Sequence, residues 1–494
     1  MNMLRLALLP TLAPLLFACT TVGPDYHVPE QAAVRAPEAN GPLLGTANPA
    51  VSVAPVPDDW WRLYDDPRLD KLVRQALTAN TDLRVAAANL RRAIAIYHEV
   101  ESENLPQAAL SAKTERAQIA GESFLIKEKL PVFNLGDFGF SVSYLVDFFG
   151  KLARADEAAL ASAEASQAAL DAARVSVVAQ TVRAYVQGCA ATHELEVAEH
   201  QLALQSRGVE IAGKMVAAGR GQPTDMLRAR AQAETLRAAL PRFRAEKESA
   251  AYRLAVMLGK PPAALPEAES ECKEEPRLRQ AIPVGDGAAL LKRRPDVRQA
   301  ERELASATAR IGVATADLYP SIRIGASAGL SGLLSDLGTG PTARWSMGPL
   351  LTWNLPTNGV RPRIHGMEAG ADAALARFDG VVLKALQETQ TALSAYTSEL
   401  ERNQSLRVAR DDANEVARQH RMLYQAGRVP YLSSLDADRT LAGADAARAA
   451  ADSQVALNQI NLFLALGGGW QNSPKVEEHT AAGEHQGEHP GEHH

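Results

Sequence analysis

Few residues in this 494-residue chain have types and spacing that suggest chemistry. His193, Glu196 and His200 fall at i, i+3 and i+7 of one helical face and could meet at a divalent metal. Four-coordinate sites want more ligands, so a solvated polar face is expected; His193 and His200 are weak metal candidates only. Near the C-terminus Gly-Glu-His occurs three times, and His479, His485, His489, His493 and His494 make a tract able to chelate Zn, Cu or Ni weakly. Asp436 and Arg439 stand three apart, the spacing of a surface ion pair worth ~0.3 kcal/mol on a helix. No GxxxxGK[ST], HExxH or GxSxG pattern is present, so no enzyme is read here, and any energy must come from a partner. A net charge of −6 gives no sign of nucleic-acid binding.

The first 18 residues read as an export signal: Arg5, the apolar stretch Leu6 to Phe17, then Ala18. Leu16-Phe17-Ala18-Cys19 resembles the bacterial lipobox, in which the cysteine becomes the acylated first residue. Lipid on Cys19 would anchor the chain by burying methylenes at ~0.8 kcal/mol each. Thr20 follows, where an Asp would hold a lipoprotein at the inner membrane, so the outer membrane is favoured. No other cofactor is expected. Cys189 and Cys272 remain, in an oxidising compartment. A bridge between helix and linker is open to them, but sequence cannot fix connectivity, and two free thiols are the expectation.

These residues sit on a duplicated chain. Ala218-Gly219-Arg220 recurs as Ala426-Gly427-Arg428, and Leu254 to Gly259 recurs as Leu462 to Gly467, both at an offset of 208. Residues 19–57 are Pro- and Ala-rich and read as an extended tether. Repeat one covers 58–260, opened by Asp58-Asp59-Trp60-Trp61. A helix over 67–104 stops at Pro106, and a β-hairpin covers 107–149, with a long loop from Gly121 to Asp137. Long helices follow at 151–216 and 225–258, with Thr224 as cap and a kink at Pro241. A linker spans 261–285. Repeat two, 286–470, has its hairpin at 320–355 and long helices at 363–425 and 433–466. Residues 471–494 read as a disordered tail. The strand pattern is explicit in Phe138-Phe140-Val142-Tyr144-Val146-Phe148, apolar at every second place.

Four amphipathic strands cannot close a barrel, and an open edge in lipid is prohibitive. The smallest transmembrane barrels have about 8 strands, so chains must share one. Three chains would give twelve strands; the pattern alone prefers no number.

Four separated segments resemble the outer-membrane factor family of tripartite efflux systems. They are Leu291 to Ile322 (LKRRPDVRQAERELASATARIGVATADLYPSI), Ser143 to Arg154 (SYLVDFFGKLAR), Trp345 to Arg363 (WSMGPLLTWNLPTNGVRPR) and Leu464 to Trp470 (LALGGGW). Cys19 to Tyr26 (CTTVGPDY) is similar to its lipoprotein branch. Leu145 stands where the family usually carries an acid, and Pro356-Thr357-Asn358-Gly359 replaces a Gly-rich turn. The resemblance implies an α+β membrane protein. A homotrimeric 12-stranded outer-membrane β-barrel, four strands per chain, continues into a periplasmic α-helical barrel of long coiled helices. It implies a periplasmic adaptor and an inner-membrane RND-type pump as partners, with drugs or other small toxic solutes as cargo.

By family position Leu432, Asp436 and Arg439 would line the closed constriction, where three Asp436 carboxylates would repel and favour cations. Arg439 would pair with Asp436 of its own or a neighbouring chain. At the same offset Asp436 corresponds to Arg228 and Ser433 to Asp225, so the two tips differ chemically. Gly219, Arg220, Asp225 and Arg228, with Gly427 and Arg428, are expected to meet the adaptor. A structural outer-membrane lipoprotein and an exit duct for protein secretion are the alternatives. The first leaves the alternating strands unexplained; the lipoprotein branch points to small-molecule efflux.

Overall fold

The computed structural model describes residues 21–472 except 126, 265–271, 273–275 and 279. Cys19, the export signal and the histidines of the C-terminal tract therefore lie outside the described residues. The chain divides into two compact units.

Of the described residues, the first unit comprises 21–32, Asn89–Gln167 and Arg298–Gly380. Its centre is an antiparallel sheet of β2 (Gln107–Gln118), β3 (Val132–Val146), β5 (Ser321–Leu333) and β6 (Ala343–Thr352), in that order. Register puts Leu110, Phe140, Ala328 and Trp345 in one cross-strand row, with Ala108, Val142, Ala326 and Met347 in another on the same face. Trp345 and Met347 are 82% and 80% exposed on this apolar face. Strand alternation sends Ser141, Ser327 and Ser346 to the other face. There the Ser327 and Ser346 hydroxyls meet at 2.9 Å, and Arg344 donates to Asp137 at 2.6 Å. The sheet thus has one side suited to hydrocarbon and one suited to water. Among the described residues, β2 and β6 each pair on one side only.

The loop expected over Gly121 to Asp137 is shorter than the sequence suggests. β3 already starts at Val132, whose register partner is Gln118. Asn134, Gly136 and Asp137 are poor strand formers taken into the ladder by its pairing. The strand ends at Val146, before Phe148, and Asp147 accepts from the Ala153 amide at 2.9 Å.

Of the described residues, the second unit comprises Ala33–Ala88, those within 168–297, and 381–472. The tether expectation fails for its part of 19–57. Ala39, Leu43, Val51 and Val56 are buried, α1 spans Pro37–Asn40, and β1 (Val51–Ser52) pairs in parallel with β4 (Ile282–Pro283) of the linker. Trp60–Tyr64 is a 3₁₀ turn rather than the start of a helix, and Trp60 stacks on Phe463 at 4.5 Å.

The helix expected over 67–104 is two helices, α2 (Pro67–Ala79) and α3 (Thr81–Ser102). Asn80 separates them in an extended conformation. Its buried side chain accepts from the Asp82 amide at 2.9 Å and donates to the Met257 carbonyl at 3.2 Å. Repeat two has the same break between α6 (Gly287–Arg293) and α7 (Pro295–Ala316), where Arg294 donates to the Ala465 carbonyl at 2.9 Å.

The long helices are α4 (Lys151–Ala217), α5 (Pro223–Met257), α8 (Val360–Gln425) and α9 (Tyr431–Leu466). At 1.5 Å per residue α4 is a rod of roughly 100 Å. α5 continues without interruption through Pro241. Its N-cap position is Gln222, with Pro223 in the first turn, so Thr224 lies inside the helix instead of capping it. Pro suits that place because its missing N–H would have no helical acceptor.

Cys189 and Cys272 form a disulfide, with Cα atoms 5.0 Å apart. The expectation of two free thiols is corrected: linker residue Cys272 returns against α4 at that height.

Candidate functional site

The two tips are built by one device. At the end of α4, Gly219 adopts φ +67° and the Arg220 amide donates to the Met215 carbonyl at 2.9 Å. At the end of α8, Gly427 adopts φ +71° and the Arg428 amide donates to the Leu423 carbonyl at 2.9 Å. Each is a left-handed helix stop that glycine adopts without a Cβ penalty. Proline then opens the return, at Pro223 in the first turn of α5 and at Pro430 as the N-cap position of α9.

Beneath the turns, Ala212, Ala229, Tyr431 and Leu435 are buried together, with Val209, Met226 and Tyr424 against them. Tyr424 and Tyr431 meet edge to face, ring centroids 5.2 Å apart. Burial pushes the Tyr431 phenol up to about 12. Alanines at the contacts let four helices approach closely, and the two tyrosines fill the space below the turns. Gln205 crosses from α4 to the Ala229 carbonyl at 3.0 Å, fastening α4 to α5.

The first turns of α9 divide cleanly. Tyr431, Ser434, Leu435 and Leu441 are buried, whereas Leu432, Asp436 and Arg439 are exposed. The exposed three stand at i, i+4 and i+7 and so share one helical face. The Asp436 carboxylate and the Arg439 guanidinium are 3.9 Å apart, and Arg439 Nε donates to Gln232 at 3.0 Å. Arg439 thus joins α9 to α5 while leaving Asp436 open to solvent. In repeat one, Asp225 and Arg228 are 3.5 Å apart, and Gly219, Arg220 and Arg228 are exposed beside the turn. Gly427 and Arg428 are exposed at the second turn. The two tips therefore present opposite charge at equivalent positions, Arg228 and Asp436.

Sequence reasoning passed over Arg421 and Asp438. They pair at 3.0 Å between α8 and α9, and burial raises the Asp438 carboxyl while Arg421 opposes the shift. The available signal was Asp438 two residues beyond Asp436, which helix geometry turns to the opposite side. His193 is half-buried, and Glu196 and His200 are exposed. Among the described residues no three His, Cys, Asp or Glu side chains gather where they could hold a metal.

The outer membrane efflux protein family matches residues 72–260 and 288–468. Nodulation protein T of Rhizobium leguminosarum bv. trifolii is 29% identical over 469 residues, covering 94% of this chain and 98% of the relative. Outer membrane protein OprJ of Pseudomonas aeruginosa is 29% identical over 426 residues, 85% of this chain and 88% of its own length. The solved outer-membrane channel OprN superposes with a TM-score of 0.84 at 34% identity, covering 92% of this chain and all of that one.

Proposed function

The chain belongs to the outer membrane efflux protein family, and from that premise we propose that it is the exit duct of a tripartite efflux pump. Three copies would close their sheets into a twelve-stranded barrel. Each long-helix set would add to a periplasmic tunnel, and solutes would cross passively. The observation that carries this reading is the four-stranded sheet. Its apolar face and serine-lined face suit a barrel wall, and among the described residues β2 and β6 keep an unpaired side that lipid would not tolerate.

In this reading Leu432, Asp436 and Arg439 form the gate. Their shared exposed face lets three copies of Asp436 converge, and Coulomb repulsion there would prefer cations in the narrow ring. Gly219, Arg220, Asp225 and Arg228, with Gly427 and Arg428, would receive the adaptor, which links the duct to an inner-membrane RND-type pump. Acyl chains on Cys19 would add an outer-membrane anchor. Drugs or similar small toxic solutes are the cargo.

Native mass spectrometry of protein extracted from outer membranes tests the assembly. A three-chain species that cross-links along β2 and β6 supports it, and a folded single chain would overturn it.

A further inference from the structure

We infer that Thr21–Tyr26 is a clamp that fixes where the N-terminal end leaves the fold, at the corner between β3 and α4, with Arg154 as its positioning residue. The segment was expected to be the start of a loose tether. Instead it is held by both repeats. The Val22 amide donates to the Phe149 carbonyl at 3.1 Å. Arg154, 4% exposed, donates through Nε to the Val22 carbonyl at 3.1 Å and through Nη2 to the Gly23 carbonyl at 3.3 Å. The same Nη2 meets Asp25 at 2.6 Å, and Nη1 meets Glu157 at 2.7 Å. A buried guanidinium whose donors go to two carbonyls and two carboxylates holds its partners in one geometry.

Glycines make room for this. A Cβ at Gly23, which has φ +87°, would lie 2.4 Å from the Gly312 Cα, and a Cβ at Gly312 would lie 2.6 Å from Arg154 Cγ. A Cβ at Gly150 would lie 2.4 Å from Thr21 Cγ2. The clamp closes at Tyr26, whose hydroxyl donates to Glu301 at 2.5 Å under the Arg302 guanidinium, 5.6 Å from the ring. Phe149, Gly150 and Arg154 belong to repeat one, and Glu301, Arg302 and Gly312 to repeat two. The segment therefore ties the halves together beside the sheet.

Cys19 precedes Thr21 by two residues, a reach of at most about 7 Å. The lipid would therefore emerge at the foot of β3, where the barrel wall ends, instead of on a long leash. The lipid part of this inference rests on the acylation reading of Cys19; the clamp does not.

A spin label on Pro24→Cys tests it in the full-length protein in lipid vesicles. Pro24 is exposed, and proline has no amide hydrogen to lose. Strongly immobilised spectra are expected in the parent and also in Cys19→Ser. Gly312→Val and Arg154→Gln should sharpen the lines, with the oligomer intact on gel filtration. Should either variant fail to assemble, Asp25→Asn removes only an exposed partner and should still raise label mobility. A mobile label in the parent, immobilisation that vanishes in Cys19→Ser, or an unchanged spectrum in Asp25→Asn and Gly312→Val would overturn the clamp. The mass of the N-terminal peptide reports acylation separately, so loss of the lipid reading is distinguishable from loss of the clamp.

Discussion

Asp436 and Asp438 lie two residues apart on α9 and face opposite environments. The side chain of Asp436 is 63% exposed, whereas Asp438 is turned inward onto Arg421 at 3.0 Å. One helix thus carries an open carboxylate on one side and a half-buried, paired one on the other.

Burial raises the Asp438 carboxyl above the usual aspartate value, against the pull of Arg421. The folded tip then holds its proton more tightly than the unfolded chain does. This contribution to stability grows as pH falls through the folded value and is lost as pH rises. Lowering pH from 7 to about 4 should favour the parent over Asp438→Asn. Thermal midpoints of both proteins across that range check this, and parallel curves would refute it.

Gly219 and Gly427 should each resist substitution for a purely backbone reason. Among the described residues nothing lies within 4 Å of a Cβ built on either, so the left-handed φ decides. Alanine at either site should cost about 1 kcal/mol locally. Hydrogen exchange should quicken in that turn alone, while the sheet stays protected. Unchanged exchange in Gly427→Ala would mean that the turn relaxes to another conformation.

Arg344 reaches Asp137 along the polar face of the sheet, passing Gly139, where a Cβ would lie 3.1 Å from Nη2. Both side chains are well exposed, so solvent screening leaves the pair little effect on stability. The expected effect is on permeation. Asp137→Asn leaves Arg344 uncompensated and should shift the reversal potential in a salt gradient towards anion preference, with little change in melting temperature. A shift towards cations would place these residues outside the water-filled lumen.

The Cys189–Cys272 bond closes a sequence separation of 83 residues. Chain entropy for a loop of that size corresponds to about 4.5 kcal/mol. Cys272→Ser should lower the denaturant midpoint, and reductant should lower the parent to the same value without affecting the variant. Equal midpoints in oxidised parent and variant would show that the bond adds nothing to stability.

The duplicated frame was legible in the sequence because glycine, proline and period-two alternation are local signals. Gly219, Gly427 and the Phe138 to Val146 alternation need no tertiary context to be recognised. What escaped depended on distant partners. Asn80 reads as one polar residue in a helical stretch until Met257 arrives to take its hydrogen bond. Thr21–Tyr26 reads as tether because the donor to its carbonyls, Arg154, is more than a hundred residues away. The disulfide was ambiguous for the same reason. At the tip, Leu432, Asp436 and Arg439 could be placed on one face by spacing, but Arg439 turning to Gln232 could not.

Single-channel conductance in planar bilayers, parent beside Asp436→Ala, tests the gated duct most directly. A parent of low conductance and a markedly more open variant are expected, because Asp436→Ala removes the carboxylate that pairs with Arg439 at the second tip. A folded trimer that stays silent in both forms would contradict it.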